Sequence, residues 1–472
     1  MRYSFIYKVM ALCYNYFTKH TQRIVNCNIF IKIVPMKVKR MTDVFSIQDF
    51  KFPTNFLWGS AVAGHQVEGN NIHSNNWYNE QQTLKVNPSY EVSGMACNHY
   101  NMYREDVLLL KELGHRAFRL SIEWARIEPE EGRFLQTELD HYIKELAFLK
   151  ENGIQTFVTM VHFSVPLWFA KKGDFSNLEN IKYFERFLNY VVPKISQYVD
   201  FWNVLNEFNL GSTQQKLDFK FNSVFFHARG YHIIKQYSDK PISSAHALVQ
   251  YYGRRQNDVF DVTMQHYNDI INHEFFFHAM RTGELVLPHK DGVFDKELKN
   301  TVDFWSINLY TRDIVDARKK DFRGERYDFT KTRMLPMNFY LDEFYPECVY
   351  HNLNRLLDKP VYITENGCSC YDDDFRIVYL AEYLSAMNEA IKSGVDLRGY
   401  LYWSFLDNYE WSTYIPKFGL VEVDYENNFK RTPKPSAYFY KEIIENNGFS
   451  QKILKKYLKN MPRVDTSLPI II

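Results

Sequence analysis

The chain contains 472 residues, 46% of them hydrophobic and 17% aromatic, and could form one large α/β domain or two or three smaller ones. Its formal net charge of +1 shows no excess of either sign, so we expect neither a nucleic acid nor a membrane surface as its partner. The cysteines form neither a zinc-like CxxC pair nor a regular disulfide framework, which is typical of reduced thiols in a cytoplasmic protein. They are Cys13, Cys27, Cys97, Cys348, Cys368 and Cys370.

Residues 1–46 are predicted to be an N-terminal extension of uncertain role. The opening stretch, MRYSFIYKVMALCYNYF, has an early arginine and an apolar run, but Lys8 and Asn15 interrupt it and no clear small-residue cleavage site follows. It is therefore a poor signal peptide, and it is shorter than the roughly 20 apolar residues that cross a membrane. We expect one folded domain over residues 47–460 and a C-terminal tail over residues 461–472.

From residue 52 onward, short β-rich segments alternate with longer helical ones. The strand candidates are rich in β-branched and aromatic residues, and no Pro-rich linker or low-complexity tract divides the chain. In chain order they are FLWGSA from residue 56, RAFRLSI from 116, QTFVTMV from 155, VDFWNVL from 199, PISSAHA from 241, DFWSINL from 303, PVYITE from 360 and RGYLYWSF from 398. Because closure removes both edge strands, this pattern predicts a single-domain α/β fold, a (β/α)8 TIM barrel.

Two helical segments between the strands carry clear signals. In HYNMYREDVLLLKELG, the residues Tyr103, Val107 and Leu110 recur at helical spacing, and Gly114 supplies a stop. In DDDFRIVYLAEYLSAMNEAIKSG, the acidic run 372–374 is expected to cap the helix and favour its dipole, not to bind a metal ion.

Two glutamates stand at the ends of strand candidates. Glu365 follows the apolar run of the seventh strand, and Glu207 follows that of the fourth. Active sites of such barrels lie at the carboxyl ends of the strands, so the two side chains are expected to face each other across the barrel mouth. A pair of carboxyls about 5 to 5.5 Å apart is what a retaining glycosidase uses as nucleophile and acid. The alternative is that each glutamate pairs with a neighbouring arginine or caps a helix.

Further segments accompany the two glutamates in a fixed order along the chain. They are FLWGSAVAGHQVEG (56–69), FRLSIEWARIEP (118–129), VTMVHFSVPLWF (158–169), WNVLNE (202–207), INLYT (307–311), YITENG (362–367) and the closing YLYWSFLDNYEW…FGLVEVDY (400–425). Together they resemble the landmarks of glycoside hydrolase family 1, and the closing segment looks most like the prokaryotic and archaeal β-glycosidase branch. The resemblance implies a (β/α)8 barrel, retention of anomeric configuration and no metal or organic cofactor.

By this resemblance, Glu365 is expected to be the nucleophile and Glu207 the general acid/base. Arg119 offers Glu365 a cation, and Tyr310 can donate a hydrogen bond to the same carboxylate. Glu207 must begin protonated, and the negative Glu365 is expected to raise its pKa until the covalent intermediate neutralises that charge. Asn206 matches the residue that contacts the sugar 2-hydroxyl.

The resemblance also implies a set of residues that bind the sugar. Polar side chains of this set hold the hydroxyls at positions 3, 4 and 6, and an aromatic ring forms the floor. The polar contacts match Gln66, His162, Glu410 and Trp411, and the floor matches Trp403. We therefore expect a small β-glycoside, such as a β-glucoside or β-galactoside, as the substrate. Glu410 argues against 6-phosphorylated sugars because a carboxylate repels phosphate, although Lys417 is a nearby cation in the sequence.

The chain departs from the family pattern on the leaving-group side of the expected cleft. Phe208 stands where the family has a proline after the acid/base, and the segments that follow it and Trp411 are shorter than in relatives. This predicts a more open leaving-group site.

Two other classes of protein compete with the glycosidase hypothesis. The first is a catalytically weak or inactive carbohydrate-binding protein that kept the barrel, and the presence of both glutamates argues against it. The second is a zinc hydrolase, which would need several His and carboxylate ligands at strand ends, whereas only His162 is well placed.

Overall fold

The computed structural model describes residues 43–211, 214–288, 290–318 and 343–462. These residues belong to one compact unit of the chain, Met41–Ile472. Residues 1–42 of the predicted extension, residues 463–472 of the predicted tail, and the cysteines Cys13 and Cys27 lie outside the described residues. Val44–Ser46 form a single 3₁₀ turn capped by Asp43, and Val44 is fully buried. The domain boundaries stay a prediction.

Eight parallel strands close a barrel, which confirms the predicted (β/α)8 TIM-barrel fold. The strands are β1 (Leu57–Ala61), β2 (Ala117–Ser121), β3 (Gln155–Val161), β4 (Phe201–Asn206), β5 (Ile242–Ala247), β6 (Trp305–Asn308), β7 (Val361–Asn366) and β8 (Leu397–Trp403). Each strand pairs with its neighbours in this order, and β8 pairs with β1 to close the ring, Leu57 lying opposite Gly399. All eight form within or across the β-rich segments that the sequence predicts.

Helices alternate with the barrel strands along the chain. They are Gly64–Val67, Asn75–Val86, His99–Glu112, Trp124–Ile127, Gln136–Glu151, Leu167–Lys171, Ile181–Ile195, Gln214–Tyr237, Val259–Asp269, Phe275–Thr282, Glu347–Leu353, Asp373–Lys392, Pro435–Asn446 and Gln451–Tyr457. A π-helical turn, Ile270–Glu274, joins two of them. Single 3₁₀ turns occur at Asp174–Ser176, Leu178–Asn180, Ser196–Tyr198 and Lys296–Leu298.

The two helices with the clearest sequence signals both form. In the first, Tyr103, Val107 and Leu110 are buried, so the apolar stripe faces the core as its spacing predicts. In the second, the Asp372 side chain accepts a hydrogen bond from the amide of Asp374, which confirms the predicted cap.

Aromatic rings fill the amino-terminal half of the barrel. Phe157 and Phe201 stack with their ring centroids 4.1 Å apart. Phe304 packs edge-on against Phe201 at 5.8 Å, and Tyr362 lies 5.6 Å from Phe157. Because these residues stand at or near the starts of their strands, the apolar floor leaves the carboxyl ends of the strands for polar groups.

Short two-stranded sheets accompany the barrel in the described part of the chain. They pair Gln250–Gly253 with Arg312–Val315, Glu284–Leu285 with Val293–Phe294, and Val421–Asp424 with Lys430–Pro433. Among the described residues, no helix has the length and apolar character needed to span a membrane.

Candidate active site

Glu365 lies at the carboxyl end of β7 and is 4% exposed. Its Oε1 forms an ion pair with Nη1 of Arg119, and its Oε2 accepts a hydrogen bond of 2.8 Å from the hydroxyl of Tyr310. The backbone beyond it passes close to β8, since a Cβ on Gly367 would lie 1.7 Å from the carbonyl oxygen of Trp403. Only glycine fits there. The carboxylate is therefore held on a packed strand with both oxygens accepting hydrogen bonds.

Glu207 follows directly after β4 in a left-handed conformation, with a φ of +45°. Its amide donates to the carbonyl of Ala245 in β5 at 2.8 Å, and its Oε1 accepts a hydrogen bond of 2.9 Å from Nδ2 of Asn308. Burial raises the pKa of Glu207 to about 8, and the charge of Glu365 adds to the effect. The direction agrees with the sequence prediction, but burial is the larger cause. A pKa near this value favours the protonated carboxyl at neutral pH.

Arg119 ties together the strands that carry the two glutamates. It is fully buried on β2, and besides its ion pair with Glu365 it donates from Nη2 to Oδ1 of Asn206 at 2.6 Å. Its Nε donates to Oγ1 of Thr159 on β3 at 3.1 Å. The guanidinium fork thus contacts β3, β4 and β7 at once, which fixes the carboxylate relative to the fourth strand.

Gln66 and His162 each keep one polar atom without a partner among the described residues. Nε2 of His162 accepts a hydrogen bond of 3.1 Å from Asn206, so the ring proton lies on Nδ1, which is the unpartnered atom. Burial, followed by the charge of the nearby arginine, holds the pKa of His162 well below its ordinary value, so the ring is neutral. Nε2 of Gln66 donates to Oδ1 of Asn408 at 2.9 Å and to the carbonyl oxygen of Tyr409 at 3.0 Å. Its Oε1 is left as a free acceptor. One free donor and one free acceptor suit the hydroxyls of a sugar.

Glu410 and two tryptophans form the remaining part of the predicted sugar site. Nε1 of Trp403 donates to Oε1 of Glu410 at 3.3 Å. Burial raises the pKa of Glu410 to about 8, and the charge of Glu365 also raises it. The ring of His162 lies nearly parallel to both indoles, with its centroid 6.0 Å from that of Trp403 and 6.1 Å from that of Trp411. The structure therefore brings all ten predicted site residues into one connected group.

Sequence reasoning missed three polar residues that support this group: Asn308, Thr159 and Thr364. Asn308 donates to both Glu207 and Asn206, at 2.9 and 3.1 Å, and its own Oδ1 accepts a hydrogen bond of 2.8 Å from Thr364. Asn308 ends β6, so its position at a strand end was the signal that could have identified it.

Phe208, which replaces the family's proline, is 3% exposed and packs edge-on against Phe276 at 5.1 Å. Apolar packing thus anchors the turn after Glu207 where the family has a rigid ring. The helix Gln214–Tyr237 begins soon afterwards, so little chain is left for a loop on this side. The predicted openness of the leaving-group site stays a prediction.

The described cysteines take no part in this group. Cys97, Cys348, Cys368 and Cys370 are free and buried, and the sulfurs of the last two lie 3.8 Å apart. Within the described ranges, no three His, Cys, Asp or Glu side chains gather as metal ligands.

Two glutamates thus lie at the carboxyl ends of β4 and β7, Glu207 with a raised pKa and Glu365 with hydrogen bonds to both oxygens. Aromatic rings and unpartnered polar atoms that can bind hydroxyls lie beside them. This arrangement on a parallel barrel is typical of a glycoside hydrolase. Comparison with known proteins agrees with this class. Residues 48–449 match Glycosyl hydrolase family 1. The chain belongs to this family, as the sequence landmarks indicate, and it is a glycoside hydrolase.

Its relatives include bacterial and archaeal enzymes. The chain is 31% identical to Beta-glucosidase A of Thermotoga maritima over 84% of this chain and 98% of the relative. It is 29% identical to a Beta-galactosidase of Saccharolobus solfataricus over 88% of this chain and 99% of the relative. The solved beta-glycosidase from Pyrococcus horikoshii superposes with a TM-score of 0.76 at 31% identity, covering 87% of this chain and 98% of that one.

Proposed function

We propose that this glycoside hydrolase is a retaining β-glycosidase that cleaves small, unphosphorylated O-linked β-glycosides by double displacement. Glu365 attacks the anomeric carbon while Glu207 gives its proton to the leaving oxygen, so a glycosyl ester forms on Glu365 and an alcohol departs. The ionised Glu207 then takes a proton from water, whose oxygen attacks the anomeric carbon and frees Glu365. Each displacement inverts the carbon, so the sugar keeps its configuration.

The observation that carries this proposal is the different state of the two glutamates. Both oxygens of Glu365 accept hydrogen bonds from Arg119 and Tyr310, which suits an ionised nucleophile. Burial and the charge of Glu365 raise the pKa of Glu207 to about 8, which suits a general acid at neutral pH. Two neighbouring carboxyls whose surroundings favour opposite protonation states typically act as nucleophile and general acid.

The polar groups of the sugar site support an uncharged glycone. Nδ1 of His162 can donate to a hydroxyl and Oε1 of Gln66 can accept from one. Glu410, with its pKa raised to about 8 by burial, can do both when protonated. Glucose and galactose differ at one hydroxyl, and relatives with both names are known, so we propose β-glucosides and β-galactosides as the substrates.

Phosphorylated sugars need separate consideration, because one relative is a 6-phospho-beta-galactosidase of Leptotrichia buccalis, 29% identical over 84% of this chain and 98% of that one. A raised pKa makes charge repulsion by Glu410 a weaker argument than the sequence suggested. Trp403, which donates a hydrogen bond to Glu410, and the neighbouring Asn408 are neutral groups. Lys417, the nearby cation in the sequence that could bind a phosphate, has its ammonium 5.8 Å from the ring centroid of Tyr425. The hydrogen-bonding neighbours of Glu410 carry no positive charge to hold a phosphate, which supports the preference for unphosphorylated sugars.

The test combines turnover with trapping of the covalent intermediate. The wild type is assayed on nitrophenyl β-glucoside, β-galactoside and their 6-phosphates. It is then incubated with 2,4-dinitrophenyl 2-deoxy-2-fluoro-β-glucoside, whose leaving group speeds the first step while the fluorine slows both. Peptide mass spectrometry should find the fluorosugar on Glu365. Glu365→Gln should lose several orders of magnitude in kcat/KM and take no label.

An exposed glutamate gives the matched control. Glu422 is exposed on the antiparallel pair Val421–Asp424 and Lys430–Pro433, the outer hairpin, so Glu422→Gln should retain wild-type turnover and labelling. A label on another carboxyl would contradict the assignment of the nucleophile. A folded wild type that releases nothing from any glycoside would favour the inactive carbohydrate-binding protein.

We also propose a cytoplasmic location, on the basis of cysteine usage. The four described cysteines are free thiols, which suits a reducing compartment. Fractionation of the source cells with an antibody against the chain tests it, and recovery in the secreted fraction would contradict it.

A further inference from the structure

Asn209 forms a hydrogen-bonded clamp that fixes the turn after Glu207 to β5 and to the π-helical turn. Asn209 is 1% exposed, and its side chain reaches two different elements. Its Nδ2 lies 2.8 Å from the carbonyl oxygen of Ala247 in β5 and 2.9 Å from that of Asn272 in the π-helical turn. Its Oδ1 accepts a hydrogen bond of 3.1 Å from the amide of Ala247. The residue two places after Glu207 is therefore bonded to β5 in both directions.

The hydrogen-bond distances of Asn209 favour one tautomer of the ring beside it. The Nδ2 of Asn209 also lies 3.2 Å from Nε2 of His246, but an amide has only two hydrogens and the two carbonyl oxygens are nearer. Nε2 of His246 is then free to carry a proton and donate it to Nδ1 of His273 at 3.0 Å. Nε2 of His273 lies 2.8 Å from the carbonyl oxygen of Val249 and 3.3 Å from its amide nitrogen, and in this scheme it donates to the nearer carbonyl oxygen.

In this scheme each ring carries one proton and is neutral. The other nitrogen of His246, Nδ1, has no hydrogen-bond partner in the described part of the chain, so a second proton there would be a buried and unpaired donor. Burial, followed by electrostatic coupling to His273, holds the pKa of His246 well below its ordinary value. Burial lowers the pKa of His273 to about 4. The pair is thus a fixed neutral spacer between β5 and the π-helical turn at neutral pH.

Two further contacts hold this clamp in place. Lys220 is fully buried and donates from Nζ to the carbonyl oxygen of Ile271 at 3.0 Å and to the side chain of Asn272. The ring of Phe208 packs against Phe276, just past the same π-helical turn. The turn after Glu207 therefore rests on a packed support with several hydrogen bonds, although Glu207 itself lies in a conformation that L-residues rarely adopt.

We propose that Asn209, supported by His246 and His273, is a positioning residue that aims the carboxyl of Glu207 at the leaving oxygen. The inference rests on the proposed role of Glu207 as general acid. Asn209 acts only through the turn, because its side-chain contacts are with β5 and the π-helical turn. Loss of its three hydrogen bonds removes the side-chain anchor that follows Glu207 in the turn, and a general acid that is misplaced transfers its proton poorly.

The experiment uses aryl β-glycosides of one sugar that differ only in the leaving group. Proton donation matters most for a poor leaving group such as phenol and least for 2,4-dinitrophenol, and kcat/KM reports the first displacement alone. Asn209→Ala should lower kcat/KM by about ten- to a hundredfold on the phenyl glycoside and by less than about threefold on the dinitrophenyl glycoside. Asn209→Ser, a milder change that puts one hydroxyl in place of the amide, should fall between this variant and the wild type.

Asn447→Ala is the matched control. The side chain of Asn447 likewise makes three hydrogen bonds, to the carbonyls of Phe52 and Pro53 and to Nε1 of Trp58, but it does so at the amino-terminal end of β1. Loss of stability alone should lower the active fraction equally for every leaving group, so Asn447→Ala should show no dependence on it.

Three outcomes would count against the inference or its basis. Equal losses on all leaving groups in both Asn209 variants, as in the control, would overturn the positioning role. Unchanged kinetics in a folded Asn209→Ala would overturn it as well. A folded wild type that cleaves no member of the series would instead contradict the proposed function, so the two failures are distinguishable.

Discussion

Glu207→Gln should stabilise the protein, and the gain should increase with pH. Burial raises the pKa of Glu207 from 4.5 to about 8 in the folded state. Between these two pH values the unfolded chain has released the proton while the folded protein still holds it. The folded state therefore binds more protons, and the free energy of unfolding falls as pH rises through this window. Glutamine removes the titration but keeps a carbonyl acceptor for Asn308.

The size of the effect follows from the two pKa values. Each pH unit inside the window is worth about 1.4 kcal/mol, so retaining Glu207 costs less than about 1 kcal/mol at pH 5 and about 4 kcal/mol at pH 8. A folded unit of about 430 residues has an unfolding entropy near 0.9 kcal/mol/K at its melting temperature. Glu207→Gln should then raise Tm by about 1 °C at pH 5 and by about 4 °C at pH 8.

Thermal unfolding, followed by circular dichroism and calorimetry at matched scan rates, measures both values. Glu422→Gln, on the exposed face of the outer hairpin, should change Tm by less than about 1 °C at either pH. The reasoning is refuted if the gain from Glu207→Gln is the same at pH 5 and pH 8, or if the variant is less stable than the wild type at pH 8. Either result would mean that the carboxyl is already ionised in the folded protein.

Two kinetic predictions follow from the same contacts. In the wild type, kcat/KM should fall above about pH 8, because burial raises the pKa of Glu207 to that value and the acid then loses its proton. In Asn308→Ala this alkaline limb of the pH profile should move to higher pH, because a hydrogen bond that favours the ionised form is lost. An unchanged limb would contradict the assignment of the acid. Tyr310→Phe removes the 2.8 Å hydrogen bond to Glu365 and should lower kcat/KM by about ten- to a hundredfold for every leaving group. The control variant Tyr438→Phe, on the surface, should leave kcat/KM unchanged. Full activity in Tyr310→Phe would show that this hydroxyl does not assist the nucleophile.

The barrel could be predicted because its strands carry strong local signals. Val361 and Ile363 of β7, for example, are β-branched residues that follow a proline and precede an Asn-Gly turn, and both are fully buried. Closure of eight such strands then places every strand end at one mouth. That rule alone brought Glu207 and Glu365 together from positions far apart in the sequence.

The supporting residues were harder to predict because their partners depend on strand register. Pairing of β4 with β5 shifts between Asn203 and Asn206, and pairing of β7 with β6 shifts between Ile363 and Glu365. These irregularities break the alternation of side chains just before each glutamate, so simple alternation does not tell which residue faces the mouth. Neutral residues such as Asn209 carry no charge that would mark them in the sequence.

The charges of Glu365 and Arg119 explain how Glu207 can serve first as acid and then as base in the proposed mechanism. In the free site, burial and the negative charge of Glu365 raise the pKa of Glu207, while Arg119 lowers it. Esterification of Glu365 removes its negative charge but leaves that of Arg119, whose hydrogen bonds to Asn206 and Thr159 keep it in place. Loss of that charge lowers the pKa of Glu207 and increases the fraction of the ionised form, which activates water. Hydrolysis restores the carboxylate and with it the protonated acid, so the pKa of Glu207 follows the chemical state of Glu365 without any movement of the barrel.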